Sequence, residues 1–75
     1  MNQATMNGVP SAPKKGMVIW VQAGTHWSIG TAYFVSRVNG RSFYTNSQGL
    51  SQRFLLSEWS WWLSQRFAEG KVLLN

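Results

Sequence analysis

The chain has no cysteine and no aspartate, and its 75 residues include only two acids and one histidine. Without cysteine it can form neither a disulfide nor a thiolate metal site. His26, Glu58 and Glu69 are too few, and too scattered along the sequence, for a nucleophilic triad or a cluster of metal ligands. These absences predict a protein that is not an enzyme and that uses no metal or cofactor.

Long apolar segments are also missing. No run of about 18 apolar residues occurs, so the sequence predicts no transmembrane helix. Residues 1–11 lack the apolar core of a secretory signal, and we therefore expect a cytoplasmic protein. A chain of 75 residues forms one domain at most, with a core that is small for its surface.

Aromatic and basic residues are plentiful by contrast. The sequence holds five Trp, four Phe and two Tyr, and a few large rings of this kind can supply most of a small core. Seven Lys and Arg give a net charge of +5. Such a balance favours an acidic partner, either nucleic acid or an anionic surface.

One stretch, residues 54–67, concentrates the aromatic side chains. It begins with strand-like residues and then predicts a helix over about 58–69, with Ser57 and Glu58 suited to its start and Gly70 to its end. Trp61 lies on the opposite side of this helix from the apolar face. The residues predicted to form that buried face are Trp59, Trp62, Leu63 and Phe67.

The rest of the chain predicts a tail followed by short strands. Residues 1–15 are polar or small, and we expect a disordered basic tail ending in Lys14 and Lys15. Strands are predicted over 17–22, 28–38 (with a bulge or a sharp coil at Gly30) and 51–56. Asn39-Gly40 predicts a type I′ hairpin in which Val38 pairs with Arg41.

One short repeat is present. The five residues 50–54, Leu-Ser-Gln-Arg-Phe, recur identically at 63–67. The first copy is predicted to lie on a strand and the second on a helix. Two copies of five residues are too few for a repeat architecture.

This strand order resembles an SH3-like barrel of the Tudor or KOW kind. The resemblance implies a mainly β fold over residues 16–75: a small antiparallel barrel of four to five strands with a C-terminal helix. It depends on four segments, which are Lys15–Trp20, Trp27–Ala32, Phe43–Tyr44 and Leu56–Trp59.

The chain is also distantly similar to the type II dihydrofolate reductases, which are short SH3-like chains. The similarity is in the spacing of Gly16, Gly24 and Trp27. The Val-Gln-Ile-Tyr signature of that family would fall near residues 52–55, where this chain has Gln-Arg-Phe-Leu. The family's Gln and Tyr are absent at the matching places, so its catalytic activity is not expected here.

Basic residues interleaved with aromatic ones on a sheet can bind phosphates and stack on bases. Arg37 and Arg41 flank the predicted hairpin tip, and strict alternation would place Tyr33, Arg37 and Tyr44 on one face. The sequence thus predicts nucleic-acid binding. The residues predicted to carry it are Lys14, Lys15, Tyr33, Arg37, Arg41, Tyr44 and Arg53.

Two alternatives use the aromatic residues differently. An aromatic cage for a methylated cation could be built from Trp20, Trp27, Tyr33 and Tyr44, but no acid occurs before Glu58 and the basic field opposes it.

The other alternative is a protein-interaction module, which accounts for the unplaced Trp61. Together with Val72 and Leu74, Trp61 could form an apolar patch for self-association or for a host protein. A small adaptor or inhibitor, such as a phage or plasmid encodes, would have this size.

Overall fold

The computed structural model describes residues 2, 3, 5 and 8–74, and these form one antiparallel sheet and one α-helix. The predicted mainly β chain with a C-terminal helix is confirmed. The sheet is open, with strand order β1-β6-β2-β3-β4-β5. In the described ranges no helix is long and apolar enough to cross a membrane. The elements are β1 (Asn2–Gln3), β2 (Val18–Gln22), β3 (Gly30–Asn39), β4 (Ser42–Ser47), β5 (Leu50–Leu55), a 3₁₀ turn (Leu56–Glu58), α1 (Trp59–Glu69) and β6 (Lys71–Leu74).

The long strand β3 joins the two halves of the sheet. Residues 30–34 pair with β2, and residues 34–39 pair with β4. The register shifts between Val35 and Arg37, so the extra residue of a β-bulge is Ser36. β2 and β3 pair in a regular register as far as Gly30, so the bulge predicted at Gly30 is absent. Gly30 instead lies so close to β2 that a Cβ atom there would collide with the carbonyl oxygen of Val21.

The predicted β3–β4 hairpin is present, but its turn is shifted. Asn39 pairs with Ser42, which leaves Gly40 and Arg41 as the two-residue loop, with a φ of 61° at Gly40. A positive φ at the first loop position alone is typical of a type II′ turn. The predicted pairing of Val38 with Arg41 is wrong by two residues.

The type I′ pattern occurs in the next hairpin instead. Gln48 and Gly49 have φ values of 53° and 80° and join Ser47 to its partner Leu50. Positive φ at both loop positions matches the twist of the flanking strands, so the type of turn predicted at Asn39-Gly40 is found at Gln48-Gly49.

The helix covers one face of the sheet, which we call the inner face. Trp59, Trp62 and Leu63 are buried there, as predicted, and Phe67 is half-buried. The rings of Trp59 and Trp62 stack 5.5 Å apart, and both meet the ring of Phe43 edge-on. The aliphatic residues that complete the core are Ile19, Val21, Val35 and Val72.

The start of the helix differs in detail from the prediction. Ser57 lies inside the 3₁₀ turn, and no side-chain hydrogen bond caps α1. The carboxylate of Glu58 instead accepts a hydrogen bond from the backbone N–H of Leu55 at 2.8 Å. Glu58 therefore satisfies a backbone donor at the strand-to-helix junction, which is one half of a capping box.

The segment expected to be a disordered tail contacts the body of the protein over its described residues. The indole N–H of Trp59 donates a hydrogen bond to the carbonyl of Pro10 at 2.9 Å, Val9 packs against the core, and Pro13 is buried. β1 extends the sheet by pairing with β6. For residues 1, 4, 6 and 7 the predicted disorder lies outside the described residues.

Candidate nucleic-acid interface

The outer face of the sheet, opposite the helix, carries a row of three predicted site residues. Arg37 of β3 pairs with Tyr44 of β4, and Tyr44 pairs in turn with Arg53 of β5. Partners in an antiparallel register project to the same face. Since Phe43, the neighbour of Tyr44, is fully buried against the helix, this row must face outward.

The two arginines contact the tyrosine and its strand directly. The guanidinium carbon of Arg37 lies 4.2 Å from the centroid of the Tyr44 ring, a cation–π geometry. Arg53 donates a hydrogen bond from Nη1 to the hydroxyl of Ser42 at 3.2 Å. Both arginines are exposed, so their remaining N–H donors can reach a ligand from solvent.

No carboxylate offsets the charge of this row. The chain has only two acids: Glu58 is held by the backbone of Leu55, and Glu69 pairs with Arg66 at 3.2 Å. That pair is the only salt bridge within the part of the chain that the structure describes. The positive potential of Arg37 and Arg53 is therefore available to an anionic ligand.

Three further predicted residues lie around this row. Lys14 and Lys15 belong to a turn that is tied to β3, because the N–H of Gly16 donates to the carbonyl of Val35 at 2.8 Å. This bond brings the two lysines alongside the strand segment that carries Arg37. Arg41 lies at the hairpin tip, on a shallow groove of about 420 Å³ that it shares with Leu55, Leu56 and Ser57.

Tyr33 does not belong to this surface. It lies on the inner face, where its hydroxyl donates to Glu69 Oε1 at 3.1 Å and its ring meets Trp62 edge-on at 5.5 Å. The prediction that Tyr33 shares a face with Arg37 is wrong because the bulge at Ser36 reverses the alternation between them. The aromatic cage fails for the same reason, since Tyr33 and Tyr44 project from opposite faces.

Burial raises the pKa of the Tyr33 hydroxyl above its usual value near 10. The positive charge of Arg66 lowers that pKa, while the carboxylate of Glu69 raises it through charge and through the hydrogen bond. Because the folded-state pKa exceeds the unfolded one, this group contributes stability that is fully present below the unfolded pKa. The contribution is lost as the pH rises through the folded pKa.

Replacing Tyr33 with Phe should therefore make the protein less sensitive to alkali. The wild type should lose unfolding free energy above pH ~10, and the difference between wild type and Tyr33→Phe should shrink over that range. Urea unfolding at a series of pH values measures it, and Tyr44→Phe on the outer face is the matched control. If the difference in unfolding free energy between the wild type and Tyr33→Phe stays constant with pH, the raised pKa of Tyr33 in the folded protein is contradicted.

The predicted partner-binding patch does not form as expected. Trp61 is 54% exposed, in agreement with its predicted orientation. Val72, however, belongs to the core at 1% exposure, and Leu74 is partly buried against that core. The C-terminal strand inserts between β1 and β2, so its apolar residues serve the sheet and not a joint surface with Trp61.

Two further aromatic residues lie on the outer face: Phe34, which sequence reasoning missed, and Trp20, which it named only for the aromatic cage. Phe34 is 48% exposed, and Trp20 is half-buried with its indole N–H donating to the carbonyl of Trp27 at 2.8 Å. One signal was available: Ile19 and Val21 alternate with Trp20, so a strand that buries the first two must present Trp20 on the other side.

No protein-family model matches the chain, and comparisons with curated proteins and with solved structures likewise found no match. Among the residues that the structure describes, no group of three or more His, Cys, Asp or Glu side chains could hold a metal ion. The outer face itself presents exposed arginines and aromatic rings.

Proposed function

We propose that this protein is a non-enzymatic nucleic-acid-binding module whose contact surface is the outer face around Arg37, Tyr44 and Arg53. The observation that carries the proposal is the row itself, in which two exposed arginines flank a tyrosine and no acid opposes them. Arginine forks match the geometry of phosphate oxygens, and the ring offers a surface for a base. Lys14 and Lys15 extend the positive charge along the same end of β3.

Removing both arginines of the row should weaken binding and flatten its salt dependence. In the double variant Arg37→Ala/Arg53→Ala, the slope of log affinity against log salt should fall by about one to two units, since each lost phosphate contact removes somewhat less than one. The loss should be alike for all sequences, because phosphate contacts carry no sequence information. Fluorescence anisotropy with a labelled oligonucleotide between about 50 and 200 mM salt measures both quantities.

The matched control removes a charge from another part of the sheet. Lys71→Ala takes one cation from β6, which is separated from β4 by β2 and β3, and leaves the row intact. This variant should keep most of the affinity and most of the slope, whereas the single variants Arg37→Ala and Arg53→Ala should each lose more of both. If Lys71→Ala weakens binding as much as either single variant of the row, net charge alone would explain the interaction and the row would not be a site.

The fold that we propose for this module is an SH3-like barrel. Support comes from β3, which pairs with β2 in its first half and β4 in its second, and from β6, which returns after the helix to pair with β2. The bulge at Ser36 between the two halves of β3 favours the bending that closure into a barrel would require. The cytoplasmic location expected from the sequence fits a partner that is nucleic acid.

A second candidate function is protein–protein interaction through α1. The observation that favours it is the exposure of Trp61, because tryptophan dominates many interface hot spots. Salt separates the two functions: an apolar contact through Trp61 should persist between about 50 and 200 mM salt, whereas nucleic-acid binding should weaken steeply.

A further inference from the structure

The outer face carries a diagonal line of aromatic rings that the basic row does not explain. Trp20 of β2 pairs with Ala32, and Phe34 lies two residues further along β3 on the same face. Phe34 pairs in turn with Asn46, and Tyr44 lies two residues before Asn46 on β4. Adjacent strands therefore present Trp20, Phe34 and Tyr44 in sequence, each diagonal to the next.

The positions between these rings hold side chains that are polar or smaller than an aromatic ring. Ala32 lies beside Trp20, Val18 lies beside Phe34, and Asn46 and Ser51 continue the row of Phe34 toward β5. None of them is large enough to cover a ring. Phe34 is 48% exposed although it sits on a central strand, so its ring adds little to the core of the free protein.

We infer that this diagonal binds single-stranded nucleic acid. Its unpaired bases would stack on Phe34 and Tyr44, and the nucleic-acid strand would continue toward Trp20. The inference rests on the proposed function and specifies its ligand. Bases stack on exposed aromatic rings in most single-strand binders, whereas a duplex keeps its base faces covered. A sheet face with no protruding helix or ribbon also cannot enter a major groove.

The arginines on the same face are placed to contact an extended single strand of nucleic acid. Arg37 lies against the ring of Tyr44, and its flat guanidinium can stack on a base or bind a phosphate at its edge. Arg53 lies on the other side of Tyr44, on the edge strand β5. Neighbouring diagonal positions are about 7–8 Å apart, so the three rings span a segment of a few nucleotides.

Affinity for matched ligands tests the inference. The probes are a short labelled oligothymidylate, the corresponding oligouridylate and a DNA duplex of the same length, each titrated with the full chain by fluorescence anisotropy. We expect both single strands to bind about tenfold or more tightly than the duplex, since stacking of one to two bases accounts for such a ratio. Comparison of the two single strands distinguishes DNA from RNA as the preferred ligand.

Variants then separate stacking from charge. Phe34→Leu should weaken single-strand binding about five- to a hundredfold while leaving the salt slope unchanged, because it removes a ring and no charge. Phe34→Tyr, which keeps a ring, should retain most of the wild-type affinity, and a circular dichroism melt of Phe34→Leu shows whether its weaker binding reflects misfolding. Trp61→Leu is the matched control, since it removes an exposed aromatic side chain from the helix and not from the outer face. It should bind the single strands like the wild type.

The outcomes distinguish the two proposals. If Phe34→Leu binds like the wild type, or if the duplex binds as tightly as the single strands, the stacking inference is overturned. Should Arg37→Ala/Arg53→Ala still weaken and flatten binding in that case, the proposed function stands without it. If none of the three probes binds at low salt, both proposals fail together.

Discussion

Trp62→Ala is expected to unfold the protein or leave it barely folded. Trp62 is 1% exposed and its ring contacts four other aromatic rings, while the guanidinium of Arg66 lies 4.8 Å from its centroid. The four rings are those of Tyr33, Phe43, Phe54 and Trp59. Truncating a buried tryptophan to alanine costs about 3–5 kcal/mol, which is most of the stability of a domain this small.

The neighbouring Trp61→Ala is the matched control. It removes the same side chain one position earlier, but Trp61 is 54% exposed and should change the free energy of unfolding by about 0.5–1 kcal/mol at most. Circular dichroism melts of both variants measure the contrast. Equal destabilisation by the two substitutions would mean that the orientation of α1 on the sheet is wrong.

The duplicated pentapeptide shows what sequence patterns can predict here. Leu50–Phe54 forms most of β5, and the identical Leu63–Phe67 lies within α1. The first leucine is 60% exposed and its copy is 1% exposed. Local propensity is the same for both, so the flanking residues decide: Gly49 supplies a turn before the first copy, and Trp59 and Trp62 supply a helical apolar face before the second. That pattern was strong enough to predict both structures.

Register could not be predicted in the same way. The Asn39-Gly40 pair indicated the right hairpin, but both a type I′ turn at 39–40 and a type II′ turn at 40–41 suit a glycine at position 40. The choice depends on which residues pair across the two strands, and the structure pairs Asn39 with Ser42. Val35 and Phe43 are both buried, although strict alternation around either turn would place them on opposite faces. The bulge at Ser36 is what places them on the same face.

The same bulge explains which part of the candidate site was predicted. Arg37, Tyr44 and Arg53 were all named from the sequence, and the register brings them into one row. Tyr33 was named with them and lies on the opposite face, while Phe34 was passed over and lies on the outer one. A one-residue insertion reverses every face assignment beyond it, and no local residue pattern around Ser36 indicated this bulge.

The contacts of residues 8–13 could not be predicted from the N-terminal segment, because its composition describes only its own residues. Gly8, Pro10 and Pro13 give it no periodicity, which is typical of disorder. Its contacts come from elsewhere: the indole of Trp59 needs a hydrogen-bond acceptor, and the carbonyl of Pro10 supplies it. The side chain that needs the acceptor lies in α1, so the sequence of the N-terminal segment gives no sign of the contact.

Gly30→Ala is expected to be the most damaging conservative change in the sheet. A Cβ atom at position 30 would collide with the backbone carbonyl oxygen of Val21 and come within 3.0 Å of the Trp20 ring. Backbone cannot rotate away as a side chain can, so β2 and β3 must separate where Gln22 pairs with Gly30. We expect a loss of about 3 kcal/mol or more in the free energy of unfolding, at the upper end of overpacking costs.

Gly49→Ala is the control that separates collision from backbone strain. Gly49 has a φ of 80°, but nothing lies within 4 Å of a Cβ atom there, so alanine meets only the unfavourable dihedral. That strain costs about 1–2 kcal/mol. In thermal melts Gly30→Ala should lower Tm by about 12 °C or more, and Gly49→Ala by clearly less. If Gly30→Ala melts at or above Gly49→Ala, β2 and β3 do not approach as closely as the structure shows. The register between β2 and β3, on which the alignment of Trp20 with Phe34 depends, would then be wrong.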